Sequence, residues 1–86
     1  MKTIHIKIAP KYFDAVSSGR KPFECRVNDR DYQVGDTLVM REWLPGVEYT
    51  GREIVRRITY VLPGGMFGIQ SGYCVLGISK EENSNE

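Results

Sequence analysis

Between Pro22 and Trp43 residue types alternate with a period of two, break at a glycine turn and alternate again, which leaves room for little besides two strands and a polar connection. Phe23, Cys25 and Val27 alternate with Glu24, Arg26 and Asn28, so the first strand has one apolar and one charged face. The apolar face is expected to pack, and the charged face to meet solvent or a ligand. Asn28, Asp29, Arg30 and Asp31 form a charged loop, because Asn and Asp close turns through their own side chains. Val34, Gly35 and Asp36 then turn the chain, Gly35 being free to take a positive φ, and strand patterning resumes from Thr37 to Trp43.

The flanking segments extend this plan. Ile4, Ile6 and Ile8 alternate with His5 and Lys7 as a half-buried first strand. Tyr12, Phe13 and Val16 recur at helical spacing behind Pro10, which predicts a short helix from Lys11 to Ser18 closed by Gly19. A helix this short depends on tertiary packing, so Tyr12 and Phe13 are expected to dock it on the sheet rather than to stack on bases. Leu44, Pro45 and Gly46 open a loop before the longest strand, Arg52 to Leu62. That strand is apolar on both sides except at Arg56 and Arg57, and such a strand belongs in the middle of a fold. The glycine-rich run from Pro63 to Ile69 is expected to close one end of the fold through Met66, Phe67 and Ile69, with a lid as the alternative. A last strand begins at Tyr73. Residues 1–79 are expected to form the single domain, and residues 80–86 a disordered polar tail. With no βαβ alternation and no repeats, the fold class is mainly β with a short helix: a small, mostly antiparallel barrel, closed or nearly so, with the helix over one opening.

Composition excludes several classes. At 41% apolar and 27% charged residues the chain is neither disordered nor membrane-spanning, and no apolar run approaches the roughly 18 residues of a membrane helix. Met1 to His5 lacks the apolar stretch of a secretory signal, so a cytoplasmic protein is expected. Cys25 and Cys74 both fall in strand patterns and are expected as buried free thiols. Together with His5 they show no metal-ligand spacing, so neither metal nor cofactor is expected. Twelve basic and eleven acidic residues leave a net charge of +1, and any affinity for nucleic acid must come from a local patch.

Arg20, Lys21, Arg26 and Arg30 supply such a patch. Lys21 lies at the mouth of the strand that carries Glu24 and Arg26 on one face. Arg26 offers planar donors for phosphate or carbonyl oxygens, and Glu24 accepts from amino or imino groups. The alternative is that Glu24 and Arg26 pair with Arg41, Glu42 or Arg57 and hold strand register. Asp29, Arg30 and Asp31 also have a plain turn-closing role. Trp43 is expected to cap the core, and Tyr49 and Tyr73 are open. Ser17 and Ser18 have only His5 as a base and no nucleophile signature around them, which argues against a serine hydrolase.

The pattern G-x-K-x-x-E-x-R from Gly19 to Arg26, followed by V-G-D at Val34 to Asp36, resembles the ASCH family of the PUA-like superfamily. Glu42-Trp43, Tyr49 to Glu53, Gly72-Tyr73 and Val75 to Gly77 extend the likeness, which runs from His5 to Ile78. It is nearest to a short group of ASCH-like domains of unknown function common in phages and prophage-bearing bacteria. The resemblance implies a small PUA-like β-barrel and an RNA or modified-nucleoside ligand, in a cleft beside the helix lined by Lys21, Glu24 and Arg26, with Arg20 and Arg30 nearby. Some ASCH proteins are amidohydrolases of acylated cytidine, using the lysine of the G-x-K motif and a hydroxyl residue three positions later. Lys21 matches that lysine, Glu24 stands at the hydroxyl position, and the helical insert carrying a late glutamate is missing. Enzyme activity of that kind is the alternative expectation, and a phage or host regulator that binds protein is a third.

Overall fold

The structure, a computed structural model, describes residues 1–80. The chain runs β1 (Thr3–Ile8), α1 (Pro10–Ser17), β2 (Phe23–Val27), β3 (Thr37–Leu44), β4 (Glu48–Pro63) and β5 (Tyr73–Lys80). The strands form one curled, mixed sheet in the order β1-β3-β4-β5-β2, a half-barrel. β1 pairs with β3 in parallel, and the other ladders are antiparallel. The two edge strands, β1 and β2, form no ladder with each other, so the mostly β fold with its short helix is as expected and the barrel is left open along a seam.

Alternation decides what fills the concave side. Ile4, Ile6 and Ile8 of β1 join Leu38 and Met40 of β3, Ile54 and Ile58 of β4, and Cys74, Leu76 and Ile78 of β5 in one core. Helix α1 adds Phe13 and Val16. It starts as the sequence indicates, with Pro10 in the first turn, where a missing N–H costs nothing. Gly19, at φ +86°, ends it, and the Lys21 N–H donates to the Ala15 carbonyl at 3.0 Å, which sets where the chain enters β2.

Two buried carboxylates tie the frame together. Asp36 of the V-G-D turn is almost fully buried and accepts from the Lys2 N–H at 2.9 Å, the Lys2 ammonium at 2.7 Å and the Gln33 N–H at 3.0 Å. Burial pushes its pKa up, but these hydrogen bonds prevail and hold it below the ordinary range. Glu42 accepts from Thr50 Oγ1 at 2.7 Å and from Arg52 Nε and Nη2 at 2.9 and 2.8 Å. Those bonds, the Arg52 pair first, take its pKa down to about 2. Arg52 also reaches Asp14 at 3.3 Å and lies 4.3 Å over the Phe13 ring, clamping the helix to β4.

Several expectations are corrected. β4 is central, yet only one face is covered: Val55 is 40% and Tyr60 63% exposed. The loop after Pro63 closes on its own backbone, with the Gly65 N–H donating to the Ile69 carbonyl at 2.7 Å, so Met66 and Phe67 face solvent instead of sealing the barrel. Trp43 does not cap the core; it sits half-buried on the outer face of β3, with the Lys7 ammonium 4.8 Å from its ring. Cys74 is buried, but Cys25 is exposed. β5 extends through Lys80, and the rest of the expected tail lies outside the described residues. Among the described residues no helix is long and apolar enough to cross a membrane.

Candidate functional site

β2 reverses the facing expected of it. Its register places Glu24 opposite Leu76 and Arg26 opposite Cys74, both core residues of β5, while Phe23, Cys25 and Val27 stand opposite Gly77, Val75 and Tyr73. Cross-strand partners share a face, so the charged set points into the half-barrel and the apolar set points out. Phe23 and Val27 are 44% and 48% exposed, whereas Glu24 is only 8% exposed.

The inward charges line the seam between the edge strands. Glu24 Oε1 accepts from the Lys21 ammonium at 2.9 Å, and its Oε2 lies 3.8 Å from Arg26 Nε. Lys21 also donates to the Phe23 carbonyl at 3.1 Å, and Arg26 Nη1 spans the seam to the Lys7 carbonyl of β1 at 3.3 Å. Lys21, Glu24 and Arg26 are thus brought together as expected. Glu24 pairs with these two cations; Glu42 pairs with Arg52, and Arg41 pairs with Glu53.

Two adjoining cavities open along this seam. The larger, of about 430 Å³, takes in His5, Lys7, Glu24, Arg26, Asp29, Arg30, Tyr32 and Arg41. The smaller, of about 410 Å³, lies toward the helix and takes in Lys7, Tyr12, Lys21, Glu24 and Arg26. Both volumes suit a small ligand or one nucleotide unit. Positive charge is in excess in each: four Lys and Arg against Glu24 and Asp29 in the larger, three against Glu24 alone in the smaller. Arg30 belongs to the larger cavity. Arg20 lines neither, and its Nε donates to Ser18 Oγ at 3.0 Å on the helix end.

Other residues of the cleft were given another role by sequence or none. Phe13 docks the helix as expected, but Tyr12 is 46% exposed at the smaller cavity, with the Lys21 ammonium 5.5 Å from its ring. Tyr32 is buried behind the larger cavity, and burial raises its phenol pKa although Arg26 pulls the other way. Lys7 lines both cavities; the alternation of β1 had already put it opposite the isoleucines, a signal that could have found it. Among the described residues no three His, Cys, Asp or Glu side chains converge as a metal site would require.

Fold and cleft define a class: a small half-barrel domain that keeps a charged, partly buried cleft between its two edge strands. The chain belongs to the family described as Domain of unknown function (DUF3850), whose model matches residues 3–78 and so includes every strand of the cleft. It is similar to a protein of Escherichia phage P2 described as "Uncharacterized 12.9 kDa protein in GpA 3'region", with 50% identity over 62 residues. That match covers 71% of this chain and 56% of the phage protein, so the chain spans little more than half of its relative's length.

Proposed function

We propose that this chain is a binding module of the ASCH-related, PUA-like type that takes single-stranded RNA or a modified nucleoside in the cleft between β1 and β2. The reading rests on one observation: a charged strand face turned inward, with Lys21 and Arg26 on either side of Glu24 in a cleft where cations exceed acids. Arg26 and Lys21 meet phosphate or carbonyl oxygens, the guanidinium as a planar fork and the ammonium as a point charge. Glu24, with one acceptor position engaged by the Lys21 ammonium and Arg26 only an ion-pair distance from its other oxygen, has others to offer the amino and imino edge of an unpaired base. Tyr12 gives an exposed ring beside the smaller cavity on which a base can stack.

The test is a salt titration of binding to a labelled single-stranded RNA. For every phosphate that the protein no longer neutralises, the slope of log K against log salt should become shallower by about 0.7. Lys21→Ala and Arg26→Ala are each expected to weaken binding and flatten the slope by that amount. Unchanged slopes in both variants would remove the cleft from consideration. Incubation with acylated cytidine tests the enzyme alternative: cytidine release that Lys21→Ala abolishes would replace the binding reading with the amidohydrolase one.

A further inference from the structure

The two cavities of the seam repeat one set of parts. In the smaller, the exposed Tyr12 ring has the Lys21 ammonium 5.5 Å from its centre. In the larger, Tyr49, whose role the sequence left open, is 41% exposed, and the Arg41 guanidinium lies 3.9 Å from the centre of its ring. Glu53 holds that guanidinium from β4, 3.5 Å from Arg41 Nε. Lys7, Glu24 and Arg26 line both cavities and so mark where they adjoin. The cations there are joined through Arg26, whose Nη1 donates to the Lys7 carbonyl and whose Nε shares Glu24 with Lys21.

We infer that the cleft takes two consecutive nucleotides of a single strand, one base in each cavity and the linking phosphate on the cations between them. This rests on the RNA-binding reading of the cleft and narrows its ligand from a nucleoside to a dinucleotide step. The order of the parts carries it. A single strand repeats base, phosphate, base, and proteins that bind one pair aromatic faces for the bases with a cationic groove for the backbone. Along the seam the order is Tyr12, then Arg26 with Lys7, then Tyr49, which is the same alternation. A lone nucleoside fills one cavity, of about 410 or 430 Å³, and leaves the aromatic of the other unused. One base stacks on Tyr12 and the next on the Arg41–Tyr49 pair, since a guanidinium plane receives a base as an aromatic ring does.

Competition of 5′-phosphorylated oligocytidylates of one to four nucleotides against the labelled RNA strand tests this on the unmodified protein, with no variant required to fold. The second nucleotide brings its own stacking contact and is expected to tighten binding about 5- to 150-fold. The third and fourth reach beyond the two cavities and are expected to add less than about threefold each. Tyr12→Ala and Tyr49→Ala, both at exposed positions, are each expected to bring the dinucleotide to within about threefold of the mononucleotide with circular dichroism unaltered. A mononucleotide that competes as well as the dinucleotide, or an affinity that climbs by equal steps through the fourth nucleotide, would overturn the inference while leaving the cleft as an RNA or nucleoside site. A Tyr49→Ala variant that keeps the full gain from the second nucleotide would overturn it in the same way. If the labelled strand itself fails to bind, the RNA reading falls and the two-nucleotide cleft falls with it.

Discussion

Replacing Glu24 by glutamine keeps the shape of the side chain, leaves one acceptor for Lys21 and removes the charge between two cations. A phosphate held by Lys21 and Arg26 would lie across those cations from the carboxylate, two charge-assisted contacts of about 2.8 Å and so roughly 6 Å away. A unit charge at this distance is worth about 0.7 kcal/mol in water-like surroundings and about 3 kcal/mol at the effective dielectric of a protein surface. The glutamine variant should therefore bind an abasic phosphodiester strand more tightly by about 3- to 100-fold at low salt, the gain shrinking as salt screens it. Base preference should move the other way. Guanine presents two adjacent donors to a carboxylate, and a bidentate pair of this kind gives about 1–3 kcal/mol of discrimination, which glutamine forfeits. Stability should fall as well: the carboxylate's side chain is only 10% exposed and its partners' 19% and 27%, so the pairs lie between exposed ion pairs worth about 1 kcal/mol or less and buried ones that cost about 3–5 kcal/mol to break. For a domain this small each kcal/mol lost is a melting shift of roughly 4–8 °C. Competition fluorescence anisotropy with guanosine-containing, cytidine, uridine and abasic strands, run beside thermal melts, measures all three quantities. A variant that melts lower, binds the abasic strand no better and keeps the same ranking among bases would refute the reasoning and leave Glu24 as a structural charge.

Acid should unfold the protein through its buried carboxylates. Glu42 falls from an ordinary 4.5 to about 2 in the folded state, so its contribution is complete above the unfolded value and is lost as pH drops from 4.5 toward 2. Asp36, also lowered, acts with the same sign. Melting temperatures taken from pH 7 to pH 2 should show this acid limb, and Glu42→Gln should lower the plateau at neutral pH and flatten the limb. Gly64→Ala should cost about 1–3 kcal/mol in urea denaturation, because the added Cβ would collide with the Gln70 carbonyl and lie 2.6 Å from the Tyr73 carbonyl, backbone atoms that cannot rotate aside. An unchanged urea midpoint would mean that the loop relaxes freely.

Strand and helix positions were legible because periodicity is a local signal. The isoleucines of β1, the helix behind Pro10 and the turn at Gly35 needed no tertiary knowledge. The facing of β2 did need it. A period of two separates Phe23, Cys25 and Val27 from Glu24, Arg26 and Asn28, but which set points inward depends on whether the concave side is dry or holds a polar cleft. In this fold the cleft takes the charges, and the apolar set is left outside. β4 misled in a related way, since its bulge at Thr59 shifts the alternation midway and makes a strand covered on one face read as apolar on both. The Glu42 cluster was unreadable for another reason: Thr50 and Arg52 reach Glu42 only through a strand pairing whose register slips between Arg41 and Trp43. Lys21, Glu24 and Arg26 were found because they are close in sequence, whereas Lys7 and Arg41 join them only through folding.

The strand order also ranks the parts of the molecule by the length of chain that must be closed to make them. β3, β4 and β5 are consecutive and pair with their sequence neighbours, so a three-strand meander forms at small entropic cost. β1 must find β3 across the helix and β2, and β2 must find β5 across nearly the whole middle of the chain. The two walls of the cleft are thus the two latest additions to the sheet, bridged by a side-chain hydrogen bond from Arg26 to the Lys7 carbonyl. If the walls open before the meander does, amide exchange in β2, which carries fewer core side chains than β1 with its three buried isoleucines, should outpace that in β4. A ligand that grips both walls takes the place of the missing ladder and slows that exchange.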